Sequence, residues 1–369
     1  MSANTHENDH VAAVPLGVQQ IDAFWSDFSD HLPRLEALEG AEFVEQANAL
    51  LQPYVPELSI ELEGRLKEPG GKLVFTAHGN IEQFENVQAL VRNAPQGVSY
   101  GVQAFRNRTL NPEFSMGMQG FELSCTDVLV AHYDAGGILG LELSFGKDIP
   151  VEMQEHARHM AFIFLDHVLG EWDFSVRVGP IEFAESSEQV DGRQPLSQFP
   201  SVFDAFQRDT LGRSYAYPQQ AQDRWISLEV RARDADEDEV PDLLTFHDSA
   251  NALATRADLP HFLTWRLPFS SQETLDSVRD AHDALDAELQ RLQRGIQAFA
   301  RMEGMQWRTV AFYVDDPDYA MQLANQLGAE HAPGLKAELH VAYDPSWREY
   351  LGLYGAIHRN QREWTEDAA

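Results

Sequence analysis

The sequence has a single cysteine, Cys125, among its 369 residues. One thiol cannot form an internal disulfide, and it cannot supply a zinc site built from several cysteines. Cys125 lies in an alternating, strand-like stretch, where a buried and inert thiol is the usual expectation. The sequence therefore excludes the disulfide-rich and zinc-ribbon classes of protein.

Long apolar segments are also missing. The densest apolar run, at 160–165, ends at Asp166 and is far shorter than the roughly 20 residues that a membrane-spanning helix needs. The first ten residues, MSANTHENDH, lack the basic start and the apolar core of a secretory signal. These absences predict a soluble, cytoplasmic protein that makes no membrane contact.

Basic residues are few, with 27 Lys and Arg against 59 Asp and Glu and a net charge of −32. A field of this sign repels phosphate backbones and anionic membranes, so direct nucleic-acid binding is not expected. A basic protein partner, such as the nucleic-acid groove of another protein, is favoured instead. Only four of the 27 are lysines, and that balance is also typical of a GC-rich, salt-adapted organism. Both explanations of the acidity stay open.

An apolar fraction of 43% and this chain length are sufficient for two domains with separate cores. Polar, turn-forming residues at 184–198 mark the boundary between them. Strands and helices follow one another without Gly-rich crossovers, which predicts an α+β fold class with helices packed on one face of each sheet. The predicted segments are a disordered tail (1–15), an N-terminal α+β domain (16–186), a linker (187–200), a C-terminal α+β domain (201–356) and a polar tail (357–369).

In the first half, apolar periodicity predicts helices and alternation predicts strands. A helix at 150–170 has proline in its first turn and glycine just past its end, with an apolar stripe of Met153, Ala157, Met160, Ala161, Phe164 and Val168. The other predicted elements are a helix over 17–54 broken near Pro33, a hairpin of 58–66 with 72–77, a helix over 81–93, and strands over 99–105, 127–133, 140–145 and 174–183.

The clearest element of the second half is a long amphipathic helix. Ser270 and Glu273 fit a capping box. Apolar residues then recur in steps of three and four from Leu275 to Phe299, and Gly304 ends the pattern. The heptad spacing permits a coiled-coil dimer, but the flanking strands favour a helix laid across a sheet. The other predicted elements are strands over 225–232, 261–268, 308–314 and 336–343, a helix over 318–327, a solvated acidic loop at 234–239 and an aromatic segment at 347–354.

Two short motifs match catalytic signatures by chance. The segment 97–101, GVSYG, fits G-x-S-x-G, but a helix precedes it and a strand follows, whereas a nucleophile elbow needs the reverse order. The segment 140–147, GLELSFGK, has the wrong spacing for a phosphate-binding loop and alternates as a strand does. Neither motif predicts a catalytic or cofactor-binding residue.

The best candidates for metal binding are His156 and His159, which lie one turn apart on a predicted helix. Zinc needs three or four converging ligands, and His167 would lie about 16 Å from His156 along that helix. Surface histidines are therefore the favoured interpretation, and no metal or cofactor is predicted. Asp316 is typical of a helix N-cap rather than of a calcium loop.

Aromatic residues and turns recur across 20–355 in a pattern similar to that of a known family. The C-terminal features are the strand at 262–268, the long helix, Trp307-Arg308, Phe312-Tyr313, and Asp344-Pro345 followed by Trp347 and Tyr350. The N-terminal features are Phe24-Trp25, the segment 73–79, Ala94-Pro95, Phe105-Arg106 and the segment 165–171. The second half resembles the bacterial family called domain of unknown function 695, which is grouped with proteins similar to the ribonuclease E inhibitor B. The first half resembles a bacterial module often found beside it.

The resemblance implies ferredoxin-like α+β domains and a role in binding the RNA-degrading machinery. The family has no agreed activity, so the resemblance implies no catalytic residue.

These observations predict a non-enzymatic protein-binding or regulatory protein with an acidic surface and a basic partner. Trp347 and Tyr350 are the candidate partner-binding residues, as exposed aromatic anchors, although sealing the core is slightly favoured for them because large aromatic side chains are usually buried. The alternatives are a hydrolase with a cleft between the halves and a toxin-neutralising immunity protein. A deep pocket with converging histidine and carboxylate groups would favour the hydrolase.

Overall fold

A computed structural model describes residues 14–65, 68, 70–96, 100–118, 120–184, 192–219, 221, 223–231 and 240–366. Several predictions fall wholly or partly outside these residues: the tail at 1–13, residue 66 of the hairpin, residues 97–99 of the serine motif and of the strand after it, the end of the first domain and the start of the linker at 185–191, residue 232 of a strand, and the acidic loop at 234–239. The last three residues of the polar tail also lie outside them. None of the described helices is both long enough and apolar enough to cross a membrane.

The chain has an α+β fold, as the sequence predicts. The helices of the described residues are α1 (Val18–Leu35), α2 (Gly40–Leu51), α3 (Phe84–Arg92), α4 (Gln154–Leu169), α5 (Glu171–Arg177), α6 (Phe199–Ala205), α7 (Gln272–Leu292), α8 (Pro317–His331) and α9 (Arg348–Glu366).

The strands form several small sheets. They are β1 (Ser59–Glu63), β2 (Lys72–Thr76), β3 (Gly101–Ala104), β4 (Ser115–Met118), β5 (Phe121–Ser124), β6 (Val128–Asp134), β7 (Leu139–Phe145), β8 (Val178–Phe183), β9 (Gln194–Pro195), β10 (Trp225–Val230), β11 (Asp242–His247), β12 (His261–Pro268), β13 (Gly295–Glu303), β14 (Trp307–Val314) and β15 (Glu338–Tyr343).

The chain divides into two compact units whose segments interleave along the sequence. The first unit comprises Met1–Leu129, Ser144–Ser175 and Ser186–Pro200, and the second comprises Val130–Leu143, Val176–Glu185 and Ser201–Ala369. A single linker at 187–200 would instead divide the chain once. The predicted domain limits therefore place 130–143 and 176–185 in the first half, whereas these segments cluster with the second unit.

In the first unit, β1 and β2 form the predicted antiparallel hairpin, and β3 pairs parallel to β2. The crossover between β2 and β3 contains α3, so this part of the sheet is a βαβ unit. Helix α1 buries Phe24, Trp25 and Phe28, and the rings of Phe24 and Trp25 contact Phe75 of β2. The predicted break near Pro33 lies slightly later, because α1 continues through that proline and ends at Leu35.

Helix α4 and its apolar stripe are also as predicted, since the stripe from Ala157 to Val168 is buried. Gly170 follows with φ of 84°, a conformation that favours glycine. The prediction of one strand over 174–183 is wrong in its first part, because 171–177 form α5 and only 178–183 form β8. Cys125 is fully buried, as expected, and burial raises the pKa of its thiol to about 11.

The second unit contains a six-stranded antiparallel sheet in the order β10-β11-β13-β14-β12-β15. Six consecutive elements of the unit run β12-α7-β13-β14-α8-β15, before α9. The strand order of this part of the sheet, β13-β14-β12-β15, is that of the ferredoxin-like split βαβ fold. The hairpin of β10 and β11 extends this sheet at the β13 edge. The ferredoxin-like expectation is therefore met in this unit.

Helices cover both faces of this sheet, whereas the sequence predicts helices on one face only. Side chains alternate between faces along a strand, and β14 directs Phe312 toward the core shared with α7 and α8. Its neighbour Tyr313 lies in the opposite core, together with residues of α9. Strands that are apolar on both faces need a second layer, and α9 supplies it.

Helix α7 lies across the sheet, as favoured over a coiled coil, and it buries Leu275, Val278, Leu285 and Leu289. Its predicted boundaries are wrong at both ends. The N-cap is Ser271, whose side chain forms the capping box with Thr274 rather than Glu273. At the other end α7 stops at Leu292, and Gly295–Glu303 form β13, so the periodicity through Phe299 mixes a helix with a strand.

Candidate functional site

The richest group of buried polar side chains in the second unit surrounds the turn after β11. Asp248 is 4% exposed, and its carboxylate accepts hydrogen bonds from Arg224 Nη2 at 2.7 Å and from His358 Nε2 at 2.8 Å. The hydroxyl of Tyr350 donates to the backbone oxygens of His247 and Asp248. We call Arg224, His247, Asp248, Tyr350 and His358 the Asp248 cluster. It ties α9 to the start of β10 and the end of β11.

His247 is held on both sides of its ring. Nδ1 lies 2.7 Å from the backbone oxygen of Gln297, and Nε2 lies 2.6 Å from Asp223 Oδ1. Trp225 stacks on the ring with centroids 4.0 Å apart, and its indole nitrogen donates to Asp223. Because both ring nitrogens are engaged, His247 has no nitrogen available to take a proton from a substrate.

Arg213 is a buried cation that forms no ion pair within the described part of the chain. It is 3% exposed, and its guanidinium donates to the backbone and side-chain oxygens of Asn251 and to the backbone oxygen of Gly137. Its Nε has no hydrogen-bond partner in the structure. Burial lowers the pKa of this guanidinium, and the nearby hydroxyls of Tyr215 and Tyr350 act in the opposite direction.

A cavity of about 360 Å³ lies between the turn after β6 and α9. The turn and the helix approach closely because glycines face each other: a Cβ on Gly355 would lie 2.8 Å from the backbone oxygen of Gly136, and one on Gly137 would lie 2.8 Å from the Tyr354 ring. The polar side chains that line the cavity are Asp134, Thr210, Tyr354, His358 and Arg359.

The structure places the predicted aromatic anchors in the core. Trp347 and Tyr350 are fully buried. Trp347 stacks on Tyr313 at 3.8 Å, and its indole donates to the backbone oxygen of Leu259. The expectation that these rings are exposed for a partner is therefore wrong. They pack α9 against the sheet because each ring buries a large apolar area and has a partner for its one polar atom.

The N-terminal segments of the family resemblance converge on a second buried polar group, in the first unit. Glu171 accepts hydrogen bonds from the backbone nitrogens of Ala77, Gly79 and Arg106. The guanidinium of Arg106 binds Asp166 at 2.6 Å. Burial raises the pKa of Asp166, and Arg106 opposes that change. A carboxylate that accepts three backbone hydrogen bonds fixes loops, so this group positions the ends of β2 and β3.

The remaining sequence candidates lie apart from these groups. His159 is exposed and His156 is partly exposed, and the described residues contain no group of three metal-ligating side chains. Asp316 caps α8, because its side chain accepts from the backbone nitrogen of Tyr319. The segment 140–147 is mostly strand β7 rather than a phosphate-binding loop.

A row of four acidic side chains lies on the outer face of α7. Glu273, Asp276, Asp280 and Asp283 are all exposed, and their spacing of three or four residues places them side by side on one helix face. Arg279 is the only arginine or lysine between them, and it pairs with Asp276 at 3.5 Å. Despite this one ion pair the row is predominantly negative, and it is held in place because the opposite face of α7 packs on the sheet.

No family model matches the chain, and neither a curated protein nor a solved structure matches it. The resemblance to domain of unknown function 695 and to ribonuclease E inhibitor B-like proteins therefore stays a prediction.

Proposed function

We propose that the chain is a non-enzymatic, cytoplasmic binding protein that regulates a basic protein partner through its acidic surface. The observation that carries this proposal is the acidic row on α7. Neighbouring carboxylates at these spacings repel one another and destabilise an isolated helix by about 0.2–0.5 kcal/mol per pair. A row that costs stability while remaining exposed is more useful as a binding surface than as part of the scaffold.

The geometry of the row suits a basic polypeptide. Successive carboxylates lie about 5–6 Å apart on a helix face, which is within reach of lysine and arginine side chains on an extended segment. Exposed charge pairs contribute about 0.2–1 kcal/mol each. Four such contacts act together with the field of the net charge of −32, which speeds encounter with a cation.

The proposal is tested by binding of a fluorescently labelled oligolysine peptide, measured by anisotropy at several salt concentrations. One variant neutralises the row with Glu273→Gln, Asp276→Asn, Asp280→Asn and Asp283→Asn. We expect it to bind the peptide at least about tenfold more weakly, a change of about 1.4 kcal/mol. The affinity of the unaltered chain should fall steeply with salt, because exposed charges are screened.

A matched control removes the same number of exposed charges elsewhere, with Glu39→Gln, Glu42→Gln, Glu45→Gln and Glu57→Gln in the first unit. Both variants have the same net charge. If they lose the same affinity, the acidity acts only as an average field, as salt adaptation would produce, and the row is not a binding surface. Circular dichroism of both variants checks that the fold is unchanged.

A further inference from the structure

Arg213 is a buried guanidinium of the second unit that forms no ion pair within the described residues. Removing a guanidinium from water costs several kcal/mol unless an opposite charge or a full set of acceptors replaces the solvent. Among the residues that the structure describes, Arg213 has backbone and amide oxygens but no carboxylate as partners, and its Nε lacks an acceptor. A positive potential therefore extends from this residue into its surroundings.

The cavity between the turn after β6 and α9 lies next to that charge. Arg213 Nη2 donates to the backbone oxygen of Gly137, and Gly137 lines the cavity. One residue thus separates the buried cation from the space. Charges of both signs act on the wall: burial and the carboxylates of Asp248 and Asp134 raise the pKa of Tyr354, and the guanidiniums of Arg213 and Arg224 lower it.

The cavity wall supplies further groups that suit an anion. Arg359 brings a second guanidinium, and Tyr354 brings a phenol at the same helix face. The carboxylate of Asp134, the one acidic side chain in the wall, already accepts from the backbone nitrogens of Gly136 and Gly137 at 3.0 and 2.7 Å. Oδ1 of that carboxylate is thus held by its own turn, while Arg359, Tyr354 and Arg213 provide the groups that suit an anion.

We propose that this cavity binds a small anion that carries a carboxylate or phosphate group. Arg359 would hold the anion by charge-assisted hydrogen bonds, Tyr354 would donate its hydroxyl, and Arg213 would stabilise the bound charge from behind the wall. A volume of about 360 Å³ lies at the small end of the range for ligand sites, which is about 300–1,000 Å³. This site is independent of the acidic row on α7.

Isothermal titration calorimetry at constant ionic strength, with inorganic phosphate in one series and citrate in another, tests the proposal. Arg359→Gln removes the charge at the cavity, and Tyr354→Phe removes only a hydroxyl. We expect Arg359→Gln to weaken anion binding about tenfold or more, and Tyr354→Phe to weaken it by a smaller factor. Arg348→Gln is the matched control, because Arg348 lies on the same helix with a side chain that is 71% exposed; its affinity should be unchanged.

The two titrants identify the ligand chemistry. Binding of phosphate without binding of citrate assigns a phosphate group, and the reverse assigns a carboxylate. The proposal is overturned if neither anion binds more tightly than chloride, or if Arg359→Gln binds as tightly as the Arg348→Gln control. The same variants should bind oligolysine with the affinity of the unaltered chain. Failure of the anion site can therefore be distinguished from failure of the acidic row as a binding surface.

Discussion

Replacing Asp344 with alanine is expected to destabilise the second unit by about 3 kcal/mol, the sum of about 1 for a lost helix cap and about 2 for a hydrogen bond to a charged group. Asp344 is almost fully buried, four residues before the start of α9. Its two oxygens accept from the backbone nitrogens of Arg348 and Glu349. The same carboxylate accepts from the hydroxyl of Tyr313 at 2.6 Å.

Asp344 caps α9 because Trp347, the residue immediately before the helix, has no side-chain acceptor for the first backbone nitrogens. Trp347 has φ of 54° and its indole is committed to the core. The first backbone nitrogens of α9 therefore depend on Asp344, and that of Tyr350 lies 3.4 Å from the Tyr313 hydroxyl. Alanine at 344 would leave these donors and a buried hydroxyl without an acceptor, which adds the cost of desolvated polar groups.

Urea unfolding followed by tryptophan fluorescence measures the loss, since Trp347 lies beside the altered contacts. Tyr313→Phe should cost less, about 1.5–2 kcal/mol, because Asp344 keeps its backbone donors. The double variant should show a coupling of at least about 1 kcal/mol between the two residues. A loss below about 0.5 kcal/mol for Asp344→Ala, which is typical of an ordinary surface substitution, would refute the assigned role.

Two further changes test other parts of the fold. Burial raises the pKa of Tyr350 well above its usual value, so folding keeps this group protonated, and stability should be complete below about pH 10 and decline above it. The free energy of unfolding, measured with urea across this pH range, should fall less steeply for Tyr350→Phe than for the unaltered chain. Tyr133→Phe, at an exposed ring, should show the same fall as the unaltered chain. Gly137→Ala should destabilise more than Gly334→Ala by about 1–3 kcal/mol, because both have positive φ but only the former places a Cβ 2.8 Å from the Tyr354 ring. Equal losses in thermal unfolding would contradict the packing at that turn.

Local patterns predicted the regular elements well where one period held throughout a segment. Strand β12 was predicted over 261–268 and occupies those residues, because its alternation ends at a proline. The sequence predicts that α7 continues to Phe299, beyond its end at Leu292, because the apolar spacing continues through the turn before β13. Gln293 has φ of 55° there, and glycine at 295 was the signal for the change of period.

The candidate site could not be predicted from local patterns, because its residues are distant in sequence. Asp248 and His358 are 110 residues apart, and the buried charge of Arg213 depends on contacts with Gly137 and Asn251. A charged residue in a polar segment gives no sign that it will be buried. The glycine pair at 136–137 was the one local signal, since adjacent glycines indicate a turn or a close approach.

The interleaving of the two units has a consequence for synthesis on the ribosome. Residues 130–143 belong to the second unit, yet β15 of its six-stranded sheet emerges about 200 residues later, which takes roughly 10–40 s at 5–20 residues per second. During that interval Ile138, which packs against the core of the six-stranded sheet in the finished protein, has no completed core to enter. A chain cut at 187–200 would therefore separate residues 130–143 and 176–185 from the rest of their unit.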